Sequence, residues 1–106
     1  MSNTELDEMI KALSHPVRRD ILQWLKDPAQ HFADQEHPLS LGVCCGKIDQ
    51  KTGLSQSTVS SHLATLQRAG FIRSKKVGQW SFLSRDEEAI QAFLARLQQL
   101  LYTQNH

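Results

Sequence analysis

The chain has 106 residues, 40% of them hydrophobic and 22% charged, with a formal net charge of +1. That is material for one domain, residues 1–106, able to bury somewhat over half of its unfolded surface. No apolar run approaches the roughly 20 residues that a membrane-spanning helix needs. The acidic opening, with Glu5, Asp7 and Glu8, lacks the apolar stretch of a secretory signal. Two adjacent cysteines, Cys44 and Cys45, build no disulfide framework and fit a reducing cytoplasm.

The small net charge conceals a division. Residues 1–46 sum to −3, residues 47–80 to +5 and residues 81–106 to −1. The middle segment holds Lys47, Lys51, Arg68, Arg73, Lys75 and Lys76 against Asp49 alone. Such a local excess is an electrostatic footprint for a polyanion. On composition alone, a solvated charged surface reads the same way.

In chain order, a first helix is expected from Thr4, with Thr4 and Asp7 in capping-box spacing. Leu6, Met9, Ile10 and Leu13 give it one buried face. After a break at Ser14-His15, Pro16 suits the first turn of a second helix. Val17, Ile21, Trp24 and Leu25 form its stripe, and Asp27-Pro28 stops it. From Pro28 to about Leu41 no periodicity appears, which predicts a surface loop longer than most. A third helix is expected over Val43–Lys51 with Val43 and Ile48 inward, leaving through Thr52-Gly53.

Ser55 then caps a fourth helix, on which Val59, Leu63 and Leu66 recur at helical spacing and which Gly70 closes. Phe71 to Lys75 and Gln79 to Leu83 read as two strands joined through Lys76-Val77-Gly78. Trp80 and Phe82 alternate along the second strand and are expected to anchor it to the core. Ser84 and Glu87 have capping-box spacing before a last helix, whose first turn carries Asp86, Glu87 and Glu88. Ile90, Phe93, Leu94, Leu97, Leu100 and Leu101 lie on one side of it, more apolar surface than its position requires. Such a stripe suits packing within the chain or against a second copy.

The expected fold is mostly α with a small β-hairpin wing, a winged helix-turn-helix in the order α-α-α-α-β-β-α. Two helices joined by Thr52-Gly53-Leu54 have the proportions of a helix-turn-helix, whose second helix enters the major groove. Residues at its N-terminus must be short or flat so that the axis can approach the bases. Gln56, Ser57, Thr58, Ser60 and Ser61 satisfy this. Gln56 can pair bidentately with adenine, and the hydroxyls can serve bases or phosphates. Arg73, Lys75 and Lys76 place cations on the hairpin, suited to phosphates or the minor groove. His62, beside Leu63, reads as a hydrogen-bonded, partly buried histidine outside the site.

The chain resembles the ArsR/SmtB family of winged-helix repressors. The matching text runs from Lys11 to Leu22 (with Leu13-Ser14-His15-Pro16), from Gly53 to Leu66, through Ala69-Gly70-Phe71-Ile72 and over Gly78-Gln79-Trp80. The resemblance covers nearly the whole chain. It implies a homodimeric, cytoplasmic DNA-binding regulator of the repressor class that binds a palindromic operator in double-stranded DNA and releases it on an inducing signal. It places Gln56, Ser57, Thr58, Ser60 and Ser61 on DNA, and the first and last helices in the dimer interface.

Members of that family often sense a metal, through two cysteines one residue apart before the reading helix. Here Cys44 falls on the first position and Gly46 on the second, so the motif is broken. Adjacent cysteines diverge by roughly 100° on a helix, and tetrahedral zinc needs further ligands. Cys44 and Cys45 stay as candidate sensing residues for a metal or metalloid ion, or for thiol oxidation near Lys47. The plainer reading of the pair is one buried small side chain and one incidental thiol. His31, Asp34 and His37 have the spacing of a metal-binding turn. The family's second site needs paired acids and histidines on the last helix; here only Asp86, Glu87 and Glu88 at its start and His106 at its end are available. Two other classes remain open at this point: a winged-helix module that binds protein through Lys75 and Lys76, and an enzyme built on a Cys-His pair, for which no orienting third group is evident.

Overall fold

The computed structural model describes residues 3–102. His106 lies outside them. Helix α1 (Asn3–Ala12) buries Leu6, Met9 and Ala12. It starts one residue before Thr4, so Thr4 lies inside the helix and does not cap it. Ile10, expected on the buried face, is 45% exposed. Two arginines close the far end: Arg18 donates to Ala12 O at 2.8 Å and to Lys11 O at 3.1 Å, and Arg19 to Leu13 O at 2.7 Å. Cations over the last carbonyls are favoured by the helix dipole.

Helix α2 (Pro16–Lys26) opens on Pro16, and His15 Nδ1 accepts from Val17 N at 3.1 Å. Its buried side is Ile21, Leu22 and Leu25. The expected loop after it is more ordered than its composition suggests. It holds one helical turn, α3 (Pro28–His31), and a 3₁₀ turn at Leu39–Leu41. Phe32 drives a fully buried ring into the core. Gln35 clamps the remainder: its Nε2 donates to His37 O at 3.0 Å and Gly42 O at 3.1 Å, and its Oε1 accepts from Cys44 N at 2.8 Å.

Val43 is not helical. With Cys44 it forms strand β1 (Val43–Cys44), and helix α4 (Cys45–Thr52) begins only afterwards. Helix α5 (Gln56–Arg68) follows, capped by Ser55 Oγ on Thr58 N at 3.2 Å. It ends in a Schellman turn, with Gly70 N on Gln67 O and Phe71 N on Leu66 O. Strands β2 (Ile72–Val77) and β3 (Trp80–Arg85) build the hairpin. The sheet order is β1-β3-β2, all antiparallel, with Val43 opposite Leu83 and Cys44 opposite Phe82. The observed order therefore adds α3 and β1 to the expected α-α-α-α-β-β-α.

Helix α6 (Glu87–Leu101) is capped by Asp86, whose carboxylate accepts from Ala89 N at 3.0 Å. Ser84 is still in β3, so the expected Ser84–Glu87 capping box does not form. A single fully buried residue, Phe93, pins α6 by an edge-to-face contact with Phe71 at 5.2 Å. Ile90 and Leu97 pack at the margin of the core. Leu94, Leu100 and Leu101 point outward.

Candidate nucleic-acid interface

Helices α4 and α5 meet through Thr52-Gly53-Leu54. Thr52 Oγ1 donates to Asp49 O at 2.9 Å and accepts from Leu54 N at 3.1 Å, and Gly53 has φ 70°. The turn is thus set by local hydrogen bonds, and the packing of both helices sets the angle. On α5, Val59, Leu63 and Leu66 are buried. Gln56, Ser57, Thr58, Ser60 and Ser61 are all exposed. The helix offers small polar side chains to solvent along its leading half while its apolar stripe holds it to the body. Thr58 is partly committed, since Ser55 Oγ bonds its hydroxyl at 2.8 Å. Ser57 Oγ also lies 3.3 Å from Ser55 Oγ, so Gln56, Ser60 and Ser61 are the three whose side chains have no hydrogen bond of their own among the described residues.

The hairpin cations are exposed, but they do not share one face. Cross-strand partners in a sheet lie on the same side, and neighbours alternate. Lys76 pairs with Ser81 and Ser74 with Leu83; Ser74, Ser81 and Leu83 line a cleft with Ser60 and Gln67 of α5. Lys76 therefore projects on the side of the reading helix. Arg73 and Lys75 lie on the opposite side, with Lys75 opposite Phe82. Arg73 also reaches Asp86 at 3.9 Å, which ties it towards the start of α6.

Phe82 is fully buried, as expected, but under His37 of the loop rather than within the main core cluster. Trp80 is not buried: it is 43% exposed. It sits at the wing tip, opposite Val77, beyond the reach of the core. Its contact is His37, at a ring separation of 5.1 Å, and His37 also meets Phe82 at 5.2 Å. The loop thereby leans on the wing.

His62 occupies the flank of α5 that faces α2. Its Nδ1 meets the Arg18 guanidinium at 3.0 Å, and its ring packs against His15 at 4.5 Å. Burial, then the neighbouring His15 and Arg18 charges, hold His62 below its ordinary pKa of 6.5. The Arg18 partner was not legible in the text, although Arg18 lies in the Lys11–Leu22 stretch that carries the resemblance.

The two thiols diverge. Cys44 lines a cleft of about 240 Å³ with His37, Lys47 and Trp80. Cys45 lines the other cleft, against Ser60 and Leu63. Burial, followed by Cys44 and Asp49, pushes the Cys45 thiol upward from its ordinary pKa. His31, Asp34 and His37 are pulled apart: His31 ends α3, Asp34 pairs with Lys47 at 3.2 Å and His37 stacks on the wing. Among the described residues no three histidine, cysteine or acidic side chains gather as a metal site.

No helix among the described residues is long and apolar enough to cross a membrane. Residues 43–74, from β1 through the reading helix into the wing, match the family described as bacterial regulatory protein, arsR family. The uncharacterized HTH-type transcriptional regulator YbzH of Bacillus subtilis (strain 168) is 46% identical over 85 residues, covering 78% of this chain and 85% of the relative. The HTH-type transcriptional regulator YgaV of Escherichia coli (strain K12) is 35% identical over 89 residues, covering 84% and 78%. Among solved structures, HlyU from Vibrio cholerae N16961 superposes with a TM-score of 0.63 at 25% identity, over 97% of this chain and 100% of its own. A reading helix, a wing and relatives of this kind agree: the chain belongs to the ArsR family of helix-turn-helix transcriptional regulators, and it is a DNA-binding regulator rather than an enzyme.

Proposed function

We propose that the protein is a cytoplasmic, homodimeric repressor that grips an imperfect palindrome and lets go of it on a chemical signal. Gln56, Ser57, Ser60 and Ser61 read base edges, with Thr58 beside them at the helix start. Lys76 meets the phosphates nearest the reading helix, and Arg73 and Lys75 those further out. The observation that carries this reading is the division of α5: every small polar residue of its leading half is exposed while Val59, Leu63 and Leu66 are buried. Two copies joined through α1 and α6 would cover Ile10, Leu94, Leu100 and Leu101, which are otherwise bare. Their reading helices would then enter grooves roughly 34 Å apart.

The Cys44/Cys45 segment is where the signal acts. It starts α4, the helix that precedes the reading helix. Cys44 is the thiol open to a small reagent, through the cleft it shares with His37 and Trp80.

The test is duplex binding by Ser57→Glu and Ser61→Glu. Each sets a carboxylate against the phosphate-rich groove, so binding is expected to vanish while the circular-dichroism melt is kept. Wild-type affinity in both would mean that α5 does not enter the groove. Sedimentation at varied concentration checks the dimer, and binding after selective thiol oxidation checks the signal.

A further inference from the structure

A helix lying in the major groove has a sugar-phosphate strand on each side of it, about 12 Å apart. The wing can serve only one. Ser60 and Gln67 mark the flank of α5 that turns to the hairpin, since they share its cleft. The other flank begins from Ser57. Ser57, Ser61, Thr65 and Arg68 stand at i, i+4, i+8 and i+11, which at about 100° per residue makes one continuous row. The first two members belong to the proposed base contacts. The last two line a separate pocket of about 200 Å³, completed by Glu8 and Lys11 of α1 and Arg18 of α2.

That pocket is cationic by three to one. Lys11 and Arg68 are exposed, and among the described residues neither has an ion-pair partner within 4.0 Å. Arg18 is held by neutral acceptors, the carbonyls of Lys11 and Ala12 and the His62 ring, so its bonds fix the guanidinium without cancelling its charge. Thr65 donates its hydroxyl to Ser61 O at 3.1 Å and leaves its oxygen lone pairs and methyl at the rim. Three cations around one concave wall, with one of them pre-oriented, suit a tetrahedral oxyanion. Arg68 stands roughly 18 Å along the axis from Gln56, at 1.5 Å per residue. A phosphate met there lies outside the base pairs read by the leading half.

We propose that Lys11, Arg18 and Arg68 form a second phosphate site, which holds the DNA strand on the side of the reading helix away from the wing. Contacts of this kind fix register and orientation and carry no sequence information. The site rests on the reading of α5 as the groove helix. Glu8 opposes it and limits its strength.

The test uses the full chain and a random-sequence duplex, because backbone contacts are indifferent to sequence. Lys11→Gln and Arg68→Gln, singly and together, are titrated across a salt series. Each is expected to shrink the slope of log affinity against log salt by about 1. A slope of about 0.9 per phosphate corresponds to roughly eightfold weaker binding near 0.1 M salt when referred to 1 M. Glu8→Gln is expected to strengthen binding. Melting temperatures should not move, since these side chains are exposed. Wild-type affinity and slope in the double variant would remove the second site. If Ser57→Glu still abolishes binding in that case, the groove assignment stands and only this inference falls. A pocket meant for a free oxyanion would show differently. Inorganic phosphate would raise the wild-type melting temperature but not that of the double variant, with the DNA slope unchanged, and that result too would overturn the assignment.

Discussion

Gly42→Ala offers the sharpest structural test, because two separable costs meet at one residue. Gly42 has φ 110° and ψ −174°, a region that essentially only glycine occupies. Holding alanine there costs about 1–3 kcal/mol of backbone strain. A Cβ would also stand 2.8 Å from Leu83 O and 3.2 Å from Leu83 C and N. These are backbone atoms of the strand that β1 pairs with, so relief requires β1 to shift from β3. Overpacking of that kind adds about 1–3 kcal/mol. Stiffening of the unfolded chain returns about 0.4–1 kcal/mol, which leaves a net loss of about 1–6 kcal/mol, about 3 at mid-range. Gly53→Ala isolates the first cost. Its φ is 70° and a Cβ there meets nothing within 4 Å, so only the left-handed strain of about 1–2 kcal/mol applies. At roughly 4 °C per kcal/mol for a domain of this size, the mid-range loss of about 3 kcal/mol places Gly42→Ala about 12 °C below wild type. Gly53→Ala should melt about 5 °C below. Thermal unfolding followed by circular dichroism, at one protein concentration, measures both. Two variants that melt within about 2 °C of each other would refute the steric part of the reasoning.

Other outcomes follow from single groups. His62 is held below 6.5 in the folded chain, mainly by burial, so its contribution to stability is complete above that value and is lost as pH falls through the folded pKa. The melting temperature should therefore decline on acidification below about pH 6.5, and His62→Asn should flatten that decline; an unchanged profile would remove His62 as its source. Phe32→Ala empties a fully buried site and should cost about 3–5 kcal/mol in denaturant unfolding, whereas a loss below about 1 kcal/mol would mean the Pro28–Leu41 segment is not anchored by that ring. In a Cys44→Ser background, Cys45 should alkylate more slowly at neutral pH than cysteine in an unfolded peptide, since burial opposes its thiolate. Equal rates would contradict its packing against α5.

The longer helices were readable because they carry a periodic apolar stripe with local punctuation, which the single turn of α3 lacks. Pro16, Ser55 and Gly70 act where the text placed them, and Val59, Leu63 and Leu66 point inward. What escaped depends on distant partners. Two residues are too few to show a strand period, and Val43 becomes β1 only because Leu83 waits opposite it. Gln35 looks like any loop glutamine until its amide meets His37, Gly42 and Cys44. Trp80 obeys the alternation that buries Phe82, yet sits too near the tip to find a core. Ser84 and Glu87 have the right spacing for a cap, but the hairpin runs two residues further and hands the task to Asp86. The wing cations were legible as a cluster by number. Their division between two faces appeared only with the strand register, where Lys76 parts from Arg73 and Lys75.

Cys44 has a mechanical consequence. Its amide belongs to Gln35, its strand partner is Phe82 and the next residue begins α4. A single peptide therefore bolts the base of the ribbon to α4, the helix that precedes α5, like the corner of a bracket. Such a corner leaves the ribbon little freedom to swing by itself, so any adjustment of the wing carries the start of α4 with it.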